Sequence, residues 1–376
     1  MKLYFKNLDG LRFIAALMVI LQHVSEYKSN TSTALSNVFK EPFSVLGAHG
    51  VSLFFVLSGF LIFFLLFKEN EIKGKVNVKN FYLRRILRIW PLYFGFGIIM
   101  ILCIDYIFSF IGSNLNTPAA TNLLYLFTFS INFQLLFAVH NKGIIELYWS
   151  VCIEEQFYLI APWLIKKNRL IVMIIILIGI GIGSRLLLYY LQQQQIWNIE
   201  DEMMYFFTFC RLDNFGFGAL AAYCFFKENV FLKVKKYTEN YYIQAIVIVF
   251  VLLYISNYIV LPYTFNLLFS PIMISILFGY IILAASTGKF IVNLEYNILK
   301  LLGKYSYGIY IFHAVVSQIV LLVFIKVFSY KGFWVFDVLL PVICVVATAI
   351  VAGLSYELYE KWFLKLKDKF TVIRKG

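Results

Sequence analysis

Two ionisable side chains in the first apolar segment of the chain, LDGLRFIAALMVILQHV, could bind an anion and move a proton. Arg12 and His23 are eleven residues apart, which on an α-helix places them on one face with an axial separation of roughly 16 Å. That face could line a path across a membrane, with the imidazole as a base and the guanidinium as a ligand for an oxyanion or a phosphate. The alternative is that Arg12 pairs with Asp9 one turn earlier and that His23 lies at the membrane interface.

Two adjacent glutamates, Glu154 and Glu155, occur inside another apolar segment, ELYWSVCIEEQFYLIAPW. A charge in the middle of a membrane costs roughly 2.5 to 3.5 kcal/mol, so each glutamate needs a partner, water or a function. Adjacent helical residues point about 100° apart, so we expect at most one of the two to face a shared cavity. That residue could orient His23 or a substrate. The alternative is a structural ion pair with Arg12 or Arg211.

Two further segments place polar side chains where a substrate could bind. RLDNFGFGALAA contains a charged pair, and KYSYGIYIFHAVVSQ carries a polar stripe at helical spacing. The stripe consists of Ser306, Tyr310, His313 and Ser317. The residues that we assign to substrate binding are Arg211, Asp213, Tyr310 and His313. His313 is also the second candidate for the base, although such stripes often do no more than join helices by hydrogen bonds.

A cluster of arginines lies in FYLRRILRIWPLYFG, at helical spacing before Pro91. Its members are Arg84, Arg85 and Arg88. Guanidinium groups bind phosphate oxygens through paired hydrogen bonds, and coenzyme A carries several phosphate groups. The cluster could therefore bind the phosphates of a ligand such as coenzyme A, and Arg12 could add a further cation. The alternative is a basic anchor that contacts anionic lipid.

The composition of the chain predicts the elements that position these residues. Of its 376 residues, 61% are hydrophobic and only 14% are charged, and the mean hydropathy is +0.81. These values are typical of a protein embedded in a bilayer rather than of a soluble domain. Apolar runs of about 20 residues, the length that crosses a membrane, recur throughout. The sequence thus predicts an all-α polytopic protein with ten spans, at about 8–26, 47–67, 90–111, 145–165, 170–190, 204–226, 241–260, 266–286, 302–325 and 334–360.

One apolar stretch, 121–137, is short and is interrupted by Asn132 and Gln134, so we expect it to be interfacial or re-entrant. The first apolar segment has no signal-peptide cleavage site and is expected to remain as a helix. The five cysteines occur singly, without the spacing typical of a metal site or of a disulfide framework.

The distribution of basic residues predicts how the spans are oriented, because Lys and Arg near span ends stay on the cytoplasmic side. If the N-terminus is inside, 25 of the 33 Lys and Arg residues lie in cytoplasmic segments and five lie on the opposite side. This split favours ten spans with both termini in the cytoplasm. It also explains the net charge of +13 without a nucleic-acid partner.

Taken together, seven segments resemble acyltransferase family 3, a family of membrane O-acyltransferases, and the resemblance covers nearly the whole chain. In the order of the family, they are LDGLRFIAALMVILQH, GVSLFFVLSGFLI, FYLRRILRIWPLY, YWSVCIEEQFYLIAP, RLDNFGFGALAA, KYSYGIYIFH and SYELYEKWF. The resemblance implies a ten-span core that transfers acyl groups from cytoplasmic acyl-CoA. The acceptors it implies are lipopolysaccharide O-antigen, exopolysaccharide, peptidoglycan or other envelope glycans.

The resemblance also implies roles for particular residues. The functional Arg and His of the family, separated by ten residues, correspond to Arg12 and His23. The arginine-rich segment of the family corresponds to the arginine cluster, and its paired glutamates correspond to Glu154 and Glu155.

Two departures from the family pattern concern the end of the chain. Relatives usually have a proline two residues after the glutamate of the last motif, whereas Glu360 is followed by Lys361 and Trp362. Many relatives also carry a fused extracytoplasmic esterase-like domain. We expect residues 1–376 to form one membrane domain without it.

These observations predict an enzyme of the inner, cytoplasmic membrane that transfers an acyl group, most simply acetyl from acetyl-CoA, to a hydroxyl of a cell-envelope carbohydrate. His23 would be the base, and Arg12 would bind the coenzyme because it is too far from His23 to contact the same oxyanion. We expect no metal, and we expect contacts with lipids and with an acceptor that could be lipid-linked. The alternatives are an exporter of a lipid-linked sugar, and a non-catalytic acyl-CoA or lipid sensor that leaves His23 without a role.

Overall fold

The computed structural model describes residues 2–31, 35–110, 119–137, 144–165, 169–196, 201–328, 330–371 and 374–375. The described chain is almost entirely helical, which confirms the prediction of an all-α protein. Its α-helices are α1 (Leu8–Thr31), α2 (Lys40–Phe43), α3 (Leu46–Lys73), α4 (Val78–Phe110), α5 (Ala119–Phe127), α6 (Ile131–Phe137), α7 (Trp149–Ile160), α8 (Leu170–Gln193), α9 (Asp201–Phe206), α10 (Leu212–Phe226), α11 (Glu228–Thr238), α12 (Tyr241–Ile255), α13 (Tyr263–Leu268), α14 (Ser270–Ser286), α15 (Asn297–Lys304), α16 (Ser306–Val327), α17 (Leu340–Ser355) and α18 (Lys361–Lys367).

Other regular elements are short. The 3₁₀ segments are Ile144–Tyr148, Ala161–Trp163, Thr208–Arg211 and Asp368–Phe370, and the π-helical segments are Trp334–Leu339 and Tyr356–Glu360. The two-residue strands β1 (Lys2–Leu3) and β2 (Arg374–Lys375) pair in parallel. This pair brings the two ends of the described chain together.

Six helical segments among the described residues are long and apolar enough to cross a membrane. They are Leu8–Thr31, Lys40–Lys73, Val78–Cys103, Leu170–Gln193, Ser306–Val327 and Trp334–Phe370. The pair α11 and α12, bent by 75°, would be a seventh if it forms a single span. Each of these segments overlaps a predicted span, but several begin earlier: Lys40–Lys73 and Val78–Cys103 start 7 and 12 residues before the predicted spans 47–67 and 90–111. The predicted end of the third span at residue 111 lies outside the described residues. The chain is therefore a multi-pass helical membrane protein.

Helices also occur at the other predicted spans, but they are shorter than the roughly 20 residues of a bilayer crossing. α7 has 12 residues, α10 has 15 and α14 has 17. Neighbouring 3₁₀ segments extend α7 and α10, and α13 precedes α14. The stretch 121–137 forms two short helices, α5 and α6, instead of one long helix. Hydropathy is averaged over a window, so it does not register such local changes of helix type.

The central helix of the bundle is α3, because 78% of its apolar window is buried, against 22% for α8. α3 crosses α10 at two glycines that have no room for a side chain. A Cβ atom on Gly218 would lie 2.1 Å from the carbonyl oxygen of Val56, and one on Gly59 would lie 2.3 Å from that of Phe215. Small residues let helix backbones approach closely in a membrane, where van der Waals packing holds helices together. The two glycines thus fix the relative position of helices that carry residues of the candidate site.

Two buried ion pairs join distant parts of the described chain. Lys28 Nζ, near the end of α1, lies 2.7 Å from Asp337 Oδ1 in the π-helical segment before α17. Arg185 of α8 pairs with Asp213 of α10 and also donates a hydrogen bond to the carbonyl oxygen of Cys210. Breaking a buried pair by removing one member costs about 3–5 kcal/mol, because the other charge is left uncompensated. We therefore assign a structural role to both pairs.

Candidate active site

Side chains from α1, α3, α4, α7 and α16 line a small cavity of about 90 Å³, which we call the arginine cavity. Its polar wall consists of Arg12, Ser58, Arg85, Arg88, Ser150, Glu154, Tyr158, Ser306, Tyr307 and Tyr310. Three guanidinium groups face one carboxylate on this wall, so the cavity has a net positive charge and attracts anions. Arg12 Nη1 also lies 3.8 Å from Asp9 Oδ1, so Arg12 combines a local partner with a place on the cavity wall.

Glu154 faces the arginine cavity and is held there by two hydroxyl groups. Ser58 Oγ donates a hydrogen bond of 2.7 Å to Glu154 Oε1, and Tyr158 Oη donates one of 2.9 Å to Oε2. Among the described residues, no arginine nitrogen lies within 4.0 Å of this carboxylate, so hydroxyl groups take the place of the ion pair considered above. Glu155 is only 8% exposed, lies off the cavity and accepts a hydrogen bond of 2.9 Å from Trp90 Nε1.

The three arginines of the cluster divide between two positions. Arg84 lies off the cavity, and its Nη2 is 3.0 Å from Glu69 Oε2. Arg85 and Arg88 lie on the cavity wall, and no carboxylate of the described chain lies within 4.0 Å of their nitrogens. The guanidinium of Arg85 lies 5.6 Å from the ring centroid of Tyr158, and its buried Nε has no hydrogen-bond partner among the described residues. These two charges are therefore available to a bound anion.

A second, larger cavity of about 980 Å³ lies further along α1, and we call it the histidine cavity. Polar and aromatic side chains on its wall include His23, Glu26, Glu146, Trp149 and Gln318. His23 Nδ1 lies 2.9 Å from the carbonyl oxygen of Val19. A carbonyl can only accept a hydrogen bond, so Nδ1 carries the proton and Nε2 keeps its lone pair. Nε2 lies 4.0 Å from Glu26 Oε2, so an imidazolium formed at His23 would have a carboxylate nearby.

The two cavities meet at Val51 and Tyr310, which line both of them. The Tyr310 hydroxyl forms a hydrogen bond of 2.6 Å with Ser150 Oγ, which holds the ring in this position. Arg12 lines the first cavity and His23 lines the second, so one face of α1 runs along both. The path along this face therefore runs through two adjoining cavities, with Val51 and Tyr310 between them.

His313 lies beside His23 but lines neither cavity. Its side chain is fully buried, with 0% exposure, and its Nδ1 contacts the carbonyl oxygen of Tyr310. Its Nε2 has no hydrogen-bond partner in the described part of the chain. A substrate in the histidine cavity would therefore reach His23 first.

A third cavity of about 250 Å³, which we call the side cavity, adjoins the histidine cavity. Arg211 lies on its wall at the start of α10. Asp213 is held by Arg185 and lines none of the three cavities. The structure thus separates the two residues of this segment, since one faces a cavity and the other has a structural partner.

Some residues of the site were missed by the sequence analysis. Ser58 and His49 lie on α3, the first inside an apolar run and the second at the start of the helix, and neither carries a fixed charge that would draw notice. Arg185 was also missed, although the sequence gives a signal for it: a cation inside an apolar segment requires a partner, which is Asp213. The described residues contain no group of three or more His, Cys, Asp or Glu side chains that could hold a metal ion.

Comparison with known families and proteins relates the chain to acyltransferases. The model of acyltransferase family 3, described as an acyltransferase domain, matches residues 5–357. The chain is 30% identical to the peptidoglycan O-acetyltransferase OatA of Listeria monocytogenes over 48% of this chain and 28% of that protein. It is 24% identical to the O-acetyltransferase OatA of Staphylococcus aureus over 95% of this chain and 57% of that protein. A putative O-acetyltransferase of Staphylococcus aureus is 27% identical over 96% of this chain and 58% of its own length. No solved structure matches the chain.

The matches cover different shares of this chain and of its relatives. The chain spans about half the length of the Staphylococcus aureus relatives and 28% of the Listeria monocytogenes relative. The family model covers nearly the whole of this chain, from before α1 into the π-helical segment that follows α17. The matched region includes every residue that lines the arginine and histidine cavities. The chain belongs to acyltransferase family 3.

Proposed function

We propose that the chain transfers an acetyl group from cytoplasmic acetyl-CoA to a hydroxyl of an envelope glycan of the peptidoglycan type. One observation carries this proposal: a single face of α1 places Arg12 in a cationic cavity and His23 in a larger cavity, and Val51 and Tyr310 line both. The chain thus offers a site for an anionic donor and a site with a base for an acceptor. The two sites meet at one point.

The proposal includes ten spans in the cytoplasmic membrane, with both termini inside. The 3₁₀ segments beside α7 and α10, and α13 before α14, would complete crossings that the α-helices alone do not. Pairing of β1 with β2 supports this arrangement, because two ends of the described chain that lie on one side of the membrane would fit an even number of spans. The concentration of basic residues on that side favours the cytoplasm. Arg85 and Arg88, which follow a basic loop at the start of α4, would then face the cytoplasm.

The arginine cavity would receive the phosphate-bearing part of the donor. Arg12, Arg85 and Arg88 supply three cations, and the Nε atom of Arg85 has no hydrogen-bond partner among the described residues. A volume of about 90 Å³ is well below the roughly 300–1,000 Å³ of pockets that enclose whole small-molecule ligands. The cavity would therefore hold one group of the coenzyme, while the chain that carries the thioester passes Tyr310 towards His23.

The chemical step would take place at His23. The acceptor oxygen attacks the carbonyl carbon of the thioester, and the proton of the hydroxyl passes to His23 Nε2. The tetrahedral intermediate then expels the coenzyme thiolate, which takes the proton from His23, so the products are an ester and a thiol. Glu26 would stabilise the imidazolium between these two steps. Arg12, roughly 16 Å away along the helix, would act on the coenzyme instead.

The histidine cavity fits a carbohydrate acceptor, which could be lipid-linked. Its volume of about 980 Å³ is more than ten times that of the arginine cavity, and its wall combines carboxylate, amide and aromatic side chains. Sugars present hydroxyl groups for hydrogen bonds and apolar faces for aromatic rings. The name of the Listeria monocytogenes relative directs the choice of acceptor to peptidoglycan.

The test is transfer by the purified chain in lipid nanodiscs, with acetyl-CoA labelled in the acetyl group and peptidoglycan fragments as acceptors. We expect an alkali-labile labelled ester on the glycan and an equal amount of free coenzyme A. A transporter would form no ester, and a sensor would bind acetyl-CoA without consuming it. The matched control is His23→Gln, which should bind the donor without transfer.

A further inference from the structure

Arg211 is held in the side cavity by contacts with Tyr205. The residue is 5% exposed, its Nε donates a hydrogen bond of 2.8 Å to the carbonyl oxygen of Tyr205, and its guanidinium lies 4.2 Å from the centroid of that ring. Neither Nη1 nor Nη2 forms a hydrogen bond or an ion pair with a described residue. The guanidinium is therefore fixed in orientation, while Nη1 and Nη2 have no acceptor in the described part of the chain.

The charge of Arg211 has no carboxylate partner among the described residues. Asp213 is engaged in the ion pair with α8. Asp201 lies on the wall of the side cavity, but it accepts hydrogen bonds from Gln192 Nε2 and from the hydroxyl of Tyr263. An uncompensated buried charge is costly, and an anionic ligand would remove that cost.

Other groups on the wall could contribute to the same ligand. His49 and Asn257 line the side cavity, and no described residue forms a hydrogen bond with their side chains. An imidazole N–H and an amide NH₂ are both donors, which suits the binding of an oxyanion. The volume of about 250 Å³ is large enough for a carboxylate or phosphate with the atoms that carry it, but small for a whole disaccharide.

We propose that the side cavity is an oxyanion subsite of the acceptor site, in which Arg211 binds a carboxylate or phosphate of the glycan through Nη1 and Nη2. Such end-on paired hydrogen bonds are characteristic of arginine. Ala48 and Tyr205 line both the side cavity and the histidine cavity, so one ligand can occupy both. The hydroxyl that reacts would lie at His23 while the anion lies at Arg211. This inference rests on the proposed function and assigns anionic glycans as its acceptor class.

The test compares two amino-sugar disaccharides that differ in one group, a carboxylate or the corresponding primary amide. For the full chain in nanodiscs of zwitterionic lipid, we would measure the acceptor KM in the transfer assay and, without donor, the Kd by calorimetry. The wild type should prefer the carboxylate by about tenfold or more, the range expected for a hydrogen bond to a charged group. Arg211→Gln should bring this ratio close to one. Arg169→Gln, which removes an exposed charge outside all three cavities, should leave the ratio unchanged.

Because each ratio is taken within one variant, partial loss of folded protein does not change it. A wild type without preference, or an Arg211→Gln variant that keeps the preference, would overturn the subsite. The two proposals can fail separately. If the wild type transfers nothing but binds the carboxylate more tightly, and Arg211→Gln loses this difference in Kd, the subsite is supported and the proposed function fails. Repeating the assays in anionic lipid distinguishes a lipid headgroup as the occupant. If anionic lipid abolishes the wild-type preference, the lipid and not the glycan fills the side cavity.

Discussion

The imidazole rings of His23 and His313 lie side by side where α1 packs on α16, with ring centroids 5.1 Å apart and an angle of 57° between the ring planes. The Nδ1 atom of each ring lies against a carbonyl oxygen of its own helix, that of Val19 for His23 and that of Tyr310 for His313. Both Nε2 atoms are therefore unprotonated in the neutral rings. Only His23 lines the large cavity, so the two histidines share a tautomer but differ in their access to a substrate.

Replacing His23 with Gln should lower the rate of acetyl transfer by about 10²- to 10⁴-fold, the usual contribution of a general base. Acetyl-CoA binding should stay within about twofold, because the lost interaction belongs to the chemical step. Single-turnover transfer and calorimetric binding on the same preparation would measure both quantities.

The matched variant is His313→Gln, which changes the neighbouring ring without touching the cavity wall. It should retain most of the transfer activity if His23 is the base. Near-normal transfer by a folded His23→Gln protein, together with loss of transfer in His313→Gln, would reverse the assignment.

Replacing Arg85 or Arg88 with Ala should weaken acetyl-CoA binding by about tenfold or more each, since hydrogen bonds to charged groups contribute about 1.5–3 kcal/mol. Donor affinity of the wild type should also fall with ionic strength, because salt screens partly exposed phosphate contacts. Titration of acetyl-CoA at two salt concentrations would measure both effects.

Lys79→Ala is the control for this pair of variants, because Lys79 is an exposed cation on the same helix and lies off the cavity. Arg84 is a poor control, since its substitution would leave Glu69 without its ion-pair partner. Equal effects of Lys79→Ala and Arg88→Ala would indicate a general basic surface that contacts lipid.

The adjacent glutamates should respond differently to substitution. Glu154→Ala should lower kcat/KM for acetyl-CoA by about tenfold or more, because it releases Tyr158, the ring against which Arg85 lies. Glu155→Gln should retain transfer, since the amide oxygen can still accept the hydrogen bond of Trp90. Glu155→Ala should instead lower the stability by about 1–3 kcal/mol, because it leaves that donor unpaired. Steady-state kinetics and thermal unfolding would separate the two roles, and equal kinetic losses in Glu154→Ala and Glu155→Gln would contradict them.

Much of the architecture could be predicted from the sequence, because hydropathy and helical spacing are local properties. The six long apolar segments overlap predicted spans, and both Arg12 and His23 lie on α1, as the helical spacing of the first apolar segment predicts. The lengths of the shorter helices could not be predicted, since the 3₁₀ segments beside α7 and α10 depend on packing against other helices. The 3₁₀ segment before α10 bears on the site, because its last residue is Arg211, which lines the side cavity.

The partners of the site residues could not be predicted for a similar reason. The sequence shows that Asp213 and Glu154 need partners, but only the tertiary structure assigns Arg185 to the first and Ser58 to the second. The position of Tyr310 between the two cavities also depends on its contact with Ser150, because α7 and α16 are distant in the sequence.

Gly218, where α10 packs closely on α3, and Gly183, which lies on α8, should respond in opposite directions to replacement by alanine. Gly218→Ala should destabilise the chain by about 1–3 kcal/mol or more, because the added methyl group would overlap the carbonyl oxygen of Val56. Gly183→Ala should be neutral or stabilise by up to about 1 kcal/mol, since its Cβ would meet nothing within 4 Å and alanine favours the helix. Thermal unfolding in detergent would compare them. Equal stability of the two variants would mean that the helices do not approach this closely.

Single cysteines on opposite sides of the bundle would test the orientation on which the donor side depends. Thr264 and Asn77 are both exposed, whereas Asn198, another predicted outer position, lies outside the described residues. In the predicted topology, Thr264 lies on the outer side of the membrane, between the spans 241–260 and 266–286, and Asn77 lies on the cytoplasmic side, between 47–67 and 90–111. In intact cells an impermeant thiol reagent should label Thr264→Cys but not Asn77→Cys, and both should react after the membrane is opened. The unmodified chain is the control for background, because Cys103 is exposed. The opposite pattern would place the arginine cavity outside, where acetyl-CoA is absent, and would exclude it as the donor site.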